Sequence, residues 1–190
     1  EQAYPQGYGL TAISGLRLAQ LETLVDNRTS FIANINAETQ IVIAGSDAAM
    51  VAVAQRALQQ GAQRAHRLAI SVPSHCALLD QPAQQLQVAI DRIRLQPPQL
   101  AYLSGSSARV IWQPERIAQD LAFNMARTVR WYEAMVAARE REVRLVIEMP
   151  PGEVLTGLTR TVQCQGECLA VERSGSELAL RLFQRLASER

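Results

Sequence analysis

The sequence predicts an α/β protein whose first part is a small ferredoxin-like sheet. Strand-like and helix-like runs follow one another in the order βαββαβ between residues 8 and 70, the split arrangement of such sheets. Turn residues punctuate that order at Gly15, Asn36-Ala37-Glu38, Gly45-Ser46-Asp47 and Gly61. Beyond Pro73 the pattern changes to helical runs separated by short apolar strands, which marks a second and different body.

Tyr8 to Ser14 alternates as a strand does, and Gly15 breaks it. Leu16, Leu18, Leu21, Leu24 and Val25 then recur at helical spacing, with Asn27 as a stop. Phe31 to Asn36 and Thr39 to Ala44 read as two short strands around a turn. Ser46 or Asp47 can cap a helix carrying Met50, Val51, Val53, Ala54, Ala57 and Leu58, which Gly61 ends. A fourth strand is expected over Arg64 to Val72, because Pro73 holds Val72 extended and cannot donate to a sheet ladder. Ser74 then takes the N-cap position of a helix expected to run to about Arg94, with His75 on its first turn and Pro82 near its start.

Pro97-Pro98 forces an extended approach to the apolar strand Leu100 to Leu103. Gly105-Ser106-Ser107 turns the chain, and Val110-Ile111 returns antiparallel. Pro114 suits the first position of a helix that includes Ile117, Leu121 and Met125. Another helix is expected over Trp131 to Ala138, and a buried strand over Val143 to Glu148, ended by Met149-Pro150-Pro151-Gly152. The pattern weakens after Arg160, although Leu178, Leu182, Phe183 and Leu186 fit a short terminal helix. These readings place domain boundaries at 8–71 for the small sheet, 72–160 for the second body and 161–190 for a C-terminal extension.

Bulk properties narrow the function classes. The 190 residues are 48% hydrophobic, enough for a buried core, and no apolar run reaches the ~20 residues of a membrane span. A net charge of +1 argues against a nucleic-acid partner. All basic residues are arginine, which removes Schiff-base lysine chemistry and the lysine-bearing phosphate loop. Three cysteines without framework spacing argue against a disulfide scaffold and for a reducing cytoplasm. Cys164 and Cys168 have no second Cys or His pair near them, so no metal site is expected. The start at Glu1, without methionine or a secretory leader, suits a piece of a longer protein.

Two histidines are available for proton transfer. His66 lies within the small sheet and reads as structural. His75, in Ser71-Val72-Pro73-Ser74-His75-Cys76-Ala77-Leu78-Leu79, sits on the seam between the expected strand and helix, where a partner from elsewhere in the fold can meet it. By itself a lone histidine of this kind is better explained by capping or packing. Cys76 beside it reads as a small buried hydrophobe.

Four segments taken together resolve that choice: Asn34 to Gly45, Ser71 to Leu79, Asn124 to Trp131, and Glu148-Met149-Pro150-Pro151-Gly152-Glu153-Val154-Leu155-Thr156-Gly157-Leu158. In order and spacing they resemble the second half of the malonyl-CoA:acyl-carrier-protein acyltransferases, across residues 2 to 160. The resemblance implies a ferredoxin-like small subdomain plus the C-terminal part of an α/β-hydrolase-like acyltransferase large subdomain. It implies malonyl transfer from malonyl-CoA to the thiol of an acyl carrier protein by a Ser–His pair, with His75 as the base. It further implies that the main-chain carbonyl of Asn124 orients that imidazole, and that Asn36, Gln40 and Asn34 line the substrate channel. No metal and no cofactor are implied; the acceptor is a carrier-bound thiol of the phosphopantetheine type.

The departures are as informative. No Ser in the chain has the flanking glycines of a Gly-x-Ser-x-Gly elbow. The glutamine-bearing oxyanion loop and the malonyl-binding arginine of the family also have no counterpart here. The expectation is therefore a piece holding the histidine half of an active site, inactive alone. Tyr102-Leu103-Ser104-Gly105, Asn124-Met125-Ala126-Arg127 and Glu148-Met149-Pro150-Pro151-Gly152 are most similar to the acyltransferase (epsilon) subunit of malonate decarboxylase, which implies the other subunits of that complex as partners. The alternatives are a malonyl-CoA:ACP transacylase of fatty acid synthesis, or a non-catalytic carrier-docking fragment.

Overall fold

Alternating side chains in three successive strands build the first sheet. In the computed structural model, which describes residues 6–162 and 166–189, β1 (Tyr8–Ser14), β2 (Ser30–Ala37), β3 (Gln40–Ser46) and β4 (Arg64–Arg67) pair antiparallel in the order β2-β3-β1-β4. The connections are α1 (Leu18–Glu22), a tight turn and α2 (Asp47–Gln59). This is the expected ferredoxin-like arrangement. Ser46 caps α2 by accepting from the Ala49 N–H, and Asp47 places a negative charge in its first turn.

Both faces of the sheet are covered. On one, Met50, Val53 and Ala57 of α2 meet Ile13, Ile41 and Ile43, which are fully buried. Each such side chain contributes about 1.5–3 kcal/mol by leaving water. On the other, Leu10, Ala33, Val42 and Ala44 pack against Cys76, with Leu68 and Leu78 alongside. The segment around His75 is thus seated on the sheet face opposite the helices. Gly45, on the central strand, has Thr29 so close that a Cβ there would lie 2.1 Å from its carbonyl oxygen.

Three local expectations are corrected. β4 stops at Arg67, well short of Val72. The Arg67 guanidinium binds the carbonyls of Tyr8, Leu10, Leu68 and Ile70 together with the Asp47 carboxylate, so the chain after Arg67 folds around that charge. Ser74 caps no helix: it closes a tight turn through its N–H to the Val72 carbonyl, and a 3-10 turn begins only at Ala77. The following helix, α3 (Asp80–Ile90), starts later and ends earlier than its apolar spacing predicts.

The short strands β5 (Tyr102–Leu103) and β6 (Val110–Ile111) pair antiparallel as expected. Pro114 opens α4 (Pro114–Phe123), which continues into a 3-10 turn at Asn124–Ala126. Leu79 and Ala83 pack with Ala126, Val72, Phe123 and Met125 in a small core beneath that turn.

By contacts the chain divides into two compact units, Glu1–Trp131 and Tyr132–Arg190. In the second, after α5 (Trp131–Glu140), strands β7 (Leu145–Glu148) and β8 (Glu167–Ala170) pair parallel, with α6 (Val154–Arg160) between them. The Glu148 carboxylate accepts the N–H groups of Leu155 and Thr156 in the first turn of α6, at 3.0 and 2.6 Å. Then come α7 (Val171–Ser174) and α8 (Ser176–Ser188). The terminal helix is longer than its four apolar markers suggest, and β8 escapes sequence reading because four residues are too few to show alternation.

Candidate active site

Pro73 and the tight turn at Ser74 deliver His75 in the left-handed backbone region, φ 64°. Histidine tolerates this conformation better than most non-glycine residues, but it still needs fixing from outside. The fixing comes from the 3-10 turn after α4. His75 donates its N–H to the Met125 carbonyl at 2.7 Å, and its ring Nδ1 lies 2.8 Å from the Asn124 carbonyl oxygen. A carbonyl only accepts, so Nδ1 carries the proton of the neutral ring and Nε2 is left with its lone pair.

The turn that holds His75 is stitched to the sheet. Val129 donates to the Ala33 carbonyl and accepts from the Ile35 N–H, both at 2.8 Å, and the Thr128 hydroxyl donates to the Ile32 carbonyl at 2.9 Å. A cavity of about 410 Å³ opens beside His75, lined among others by Phe31, Ile32, Ala126, Arg127 and Thr128. Arg127 pairs with Asp80 at 3.0 Å and stacks over the Phe123 ring. Cys76 is buried with its thiol on the Pro73 carbonyl, and burial pushes that thiol up to about 11. It is a packing residue in its resting state.

The other residues implied by the resemblance are placed as follows. Asn34 pairs with Val42 and bridges to Val129, so it sits on the strand tied to the Asn124 segment. Asn36 is half-buried near the end of β2. Gln40 is exposed and borders a separate hollow of about 310 Å³ with Ser14, Arg64 and His66. The structure brings His75 and Asn124 together; it does not bring Asn36 or Gln40 to the cavity beside the imidazole. His66 lies on β4 of the small sheet, as expected, with its side chain exposed. Cys164 lies outside the described residues. Among those described, no cluster of His, Cys, Asp and Glu has the geometry to hold a metal ion, and no helix is long and apolar enough to cross a membrane.

Sequence reasoning missed a polar cluster behind the turn. Asp120 of α4 accepts from the hydroxyls of Tyr102 (2.7 Å), Ser104 (2.8 Å) and Ser106 (2.5 Å). Ser104 is fully buried, and burial next to the Asp120 carboxylate pushes the Tyr102 phenol well above its ordinary range. Gly105-Ser106-Ser107 signals a turn, but nothing in the sequence says that a carboxylate fifteen residues on would bind it.

Comparison with known proteins gives this geometry a context. Residues 10–181 match the family described as acyl transferase domain. The malonyl CoA-acyl carrier protein transacylase of Haemophilus influenzae is 31% identical over 188 residues, covering 96% of this chain and 60% of that protein. That of Bacillus subtilis is 30% identical over 190 residues, with the same two coverages. Among solved structures, the transacylase from Coxiella burnetii superposes with a TM-score of 0.89 at 29% identity, covering 97% of this chain and 60% of that one. A malonyl-transacylase in complex with a type II PKS acyl-carrier protein gives 0.83 at 31% identity, over 90% and 57%. The chain thus spans about 60% of the length of the curated relatives it matches. With its sheet order, its left-handed histidine and this extent of likeness, the chain belongs to the acyl transferase domain family.

Proposed function

We propose that this chain is the histidine-bearing part of a malonyltransferase that moves malonyl from malonyl-CoA to the thiol of an acyl carrier protein in the cytoplasm. The observation that carries this is the 2.8 Å contact of His75 Nδ1 with the Asn124 carbonyl, which leaves Nε2 free to accept a proton. His75 takes the hydroxyl proton of a serine lying outside these 190 residues as that oxygen attacks the thioester carbonyl. The same proton passes to the departing CoA sulfur. In the second half the carrier thiol gives its proton to Nε2, attacks the acyl-serine and returns the hydroxyl. Thioester exchange neither gains nor loses electrons, so no redox cofactor is invoked. The Asn124 carbonyl steadies the imidazolium without adding a buried negative charge. Asn34, on the strand tied to the Asn124 segment, is assigned to the wall along which the acyl-thioester arm lies; Asn36 and Gln40 stand away from the His75 cavity and keep a part in the channel only as the family resemblance implies it.

The likeness to transacylases supports the malonyl donor and carrier acceptor, since both appear in the relatives' names. A second reading is the acyltransferase (epsilon) subunit of malonate decarboxylase, favoured by Tyr102-Leu103-Ser104-Gly105, Asn124 to Arg127 and Glu148 to Gly152. Acyl loading decides between them. The parent protein carrying this chain is given radiolabelled malonyl-CoA and either a fatty-acid-synthesis carrier or a malonate decarboxylase carrier. Label is expected on one carrier in preference to the other. Label on neither carrier, with folded parent protein, refutes malonyl transfer.

A further inference from the structure

We infer that Asp120 is a positioning residue, which through the Ser104–Ser106 loop holds the Asn124 carbonyl where it fixes the tautomer of His75. This rests on the assignment of His75 as the base. The placement of the cluster carries it. Asp120 lies one helical turn before Asn124, on a helix that runs directly into the 3-10 turn bearing the Asn124 and Met125 carbonyls. Its two carboxylate oxygens collect three hydroxyl donors from the β5 end and the following loop. Ser104 in turn organises that loop, accepting the N–H groups of Ser106 and Ser107 on its hydroxyl and that of Ala108 on its carbonyl.

The same loop grips the far end of the turn segment. The Gly105 carbonyl accepts the Arg130 N–H at 2.7 Å, while Gly105 lies beside the Asn124 side chain, where a Cβ would stand in ordinary contact, 3.5 Å from the side-chain amide nitrogen. The loop is thus bonded to the Arg130 end of the 124–130 segment, while α4, which carries Asp120, runs into its Asn124 end, and Asp120 is the only anion among the hydrogen-bond partners given above for Tyr102, Ser104 and Ser106. Charge-assisted bonds of this kind are roughly twice as strong as neutral ones and rigid in direction. His75 needs that rigidity. Its left-handed backbone and its ring are both held by carbonyls of this segment, so a small displacement of the turn frees both.

The test labels the parent protein carrying this chain with 15N-histidine, the His66 and His75 signals being assigned by their loss in His66→Gln and His75→Gln. Ring tautomers are read by long-range nitrogen–proton correlation above the titration of both rings, and midpoints by titration. In the unsubstituted chain His75 is expected as the Nδ1–H form. Asp120→Ala is expected to lose that single form, with the Nε2–H tautomer appearing at His75 and the His66 signals unmoved. Asp120→Asn keeps an acceptor oxygen and is expected to restore part of the Nδ1–H signal. Ser106→Ala removes one donor from a half-buried side chain, keeps the fold, and is expected to move His75 in the same direction by less. It carries the test if Asp120→Ala does not fold. Folded variants whose His75 ring keeps its tautomer and midpoint overturn the inference, even if melting temperature falls, because a purely structural role predicts that fall alone. An unsubstituted His75 lacking the Nδ1–H form instead overturns the assignment of His75 itself.

Discussion

His75 is a residue whose chemistry is set by main-chain atoms. Its ring is oriented by one carbonyl and its backbone by the next, and neither contact depends on the side chain that carries the carbonyl. In the parent protein His75→Ala is therefore expected to lower malonyl transfer by at least about 10²-fold, the lower end for a lost general base, with melting little changed. Asn124→Ala keeps its carbonyl and is expected to transfer at close to the normal rate. Single-turnover assays with melting curves check both, and normal turnover by folded His75→Ala would refute the base assignment. Cys76 supplies a contrast next door. With its thiol at about 11 and buried on Pro73, it should resist iodoacetamide at pH 8 in the folded chain and react only on denaturation. Fast labelling of native Cys76 would show that burial does not protect it. His75, which by itself reads as a capping or packing residue, was legible because four ordered segments together resemble one acyltransferase family. Its left-handed conformation was not, since the conformation comes from the Met125 carbonyl, fifty residues away in sequence.

Within the first sheet, what the sequence reading captured is what period and turn residues encode: strand order, hairpin and α2 with its Ser46 cap. What it missed was fixed by single long-range groups. Arg67 ended β4 early by gathering carbonyls from β1 and from the chain just beyond β4, and no alternation pattern carries that information. The Asp120 cluster was invisible for the same reason. Gly45 shows a backbone constraint that the sequence marked only as punctuation. Gly45→Ala would drive a Cβ to 2.1 Å from the Thr29 oxygen on the central strand, at φ 153°. A loss of roughly 2–4 kcal/mol is expected, read as a fall in Tm of about 5 °C or more. An unchanged melting curve would mean that the Thr29 turn yields freely. In the second unit Glu148 caps α6. Burial raises its pKa, but the Thr156 and Leu155 bonds outweigh burial and hold it below its ordinary 4.5. A depressed folded pKa gives stability that is present above 4.5 and is lost as pH falls through the folded value. Glu148→Gln should therefore melt lower than the unsubstituted chain at pH 7, with the gap closing as pH falls below 4.5 through the depressed folded value. A gap of constant size across that range would show the cap to be pH-independent.

On the proposed reading the 190-residue chain supplies the proton acceptor and no Gly-x-Ser-x-Gly nucleophile. No serine has the elbow glycines. A serine hydroxyl is weakly nucleophilic without a base within hydrogen-bond reach. Within the hydrogen bonds described, the ring of His75 meets only the Asn124 carbonyl, and the Ser104 and Ser106 hydroxyls are committed to Asp120. Cys76 is adjacent to His75 in sequence but turns inward to the core beneath the sheet, with its thiol protonated at neutral pH. Incubated alone with malonyl-CoA, the chain is expected to show no malonyl adduct by intact-mass spectrometry at pH 7.5. Adding the part of the parent that carries the Gly-x-Ser-x-Gly elbow is expected to place the adduct on that part, at its serine. Transfer onward to a carrier protein should then depend on His75 of this chain. Two results would sink this division of labour. One is a thioester on Cys76 of the isolated chain, which would make the cysteine the nucleophile. The other is His75-independent transfer in the reassembled protein, which would leave the imidazole a structural group held in place for no chemical purpose.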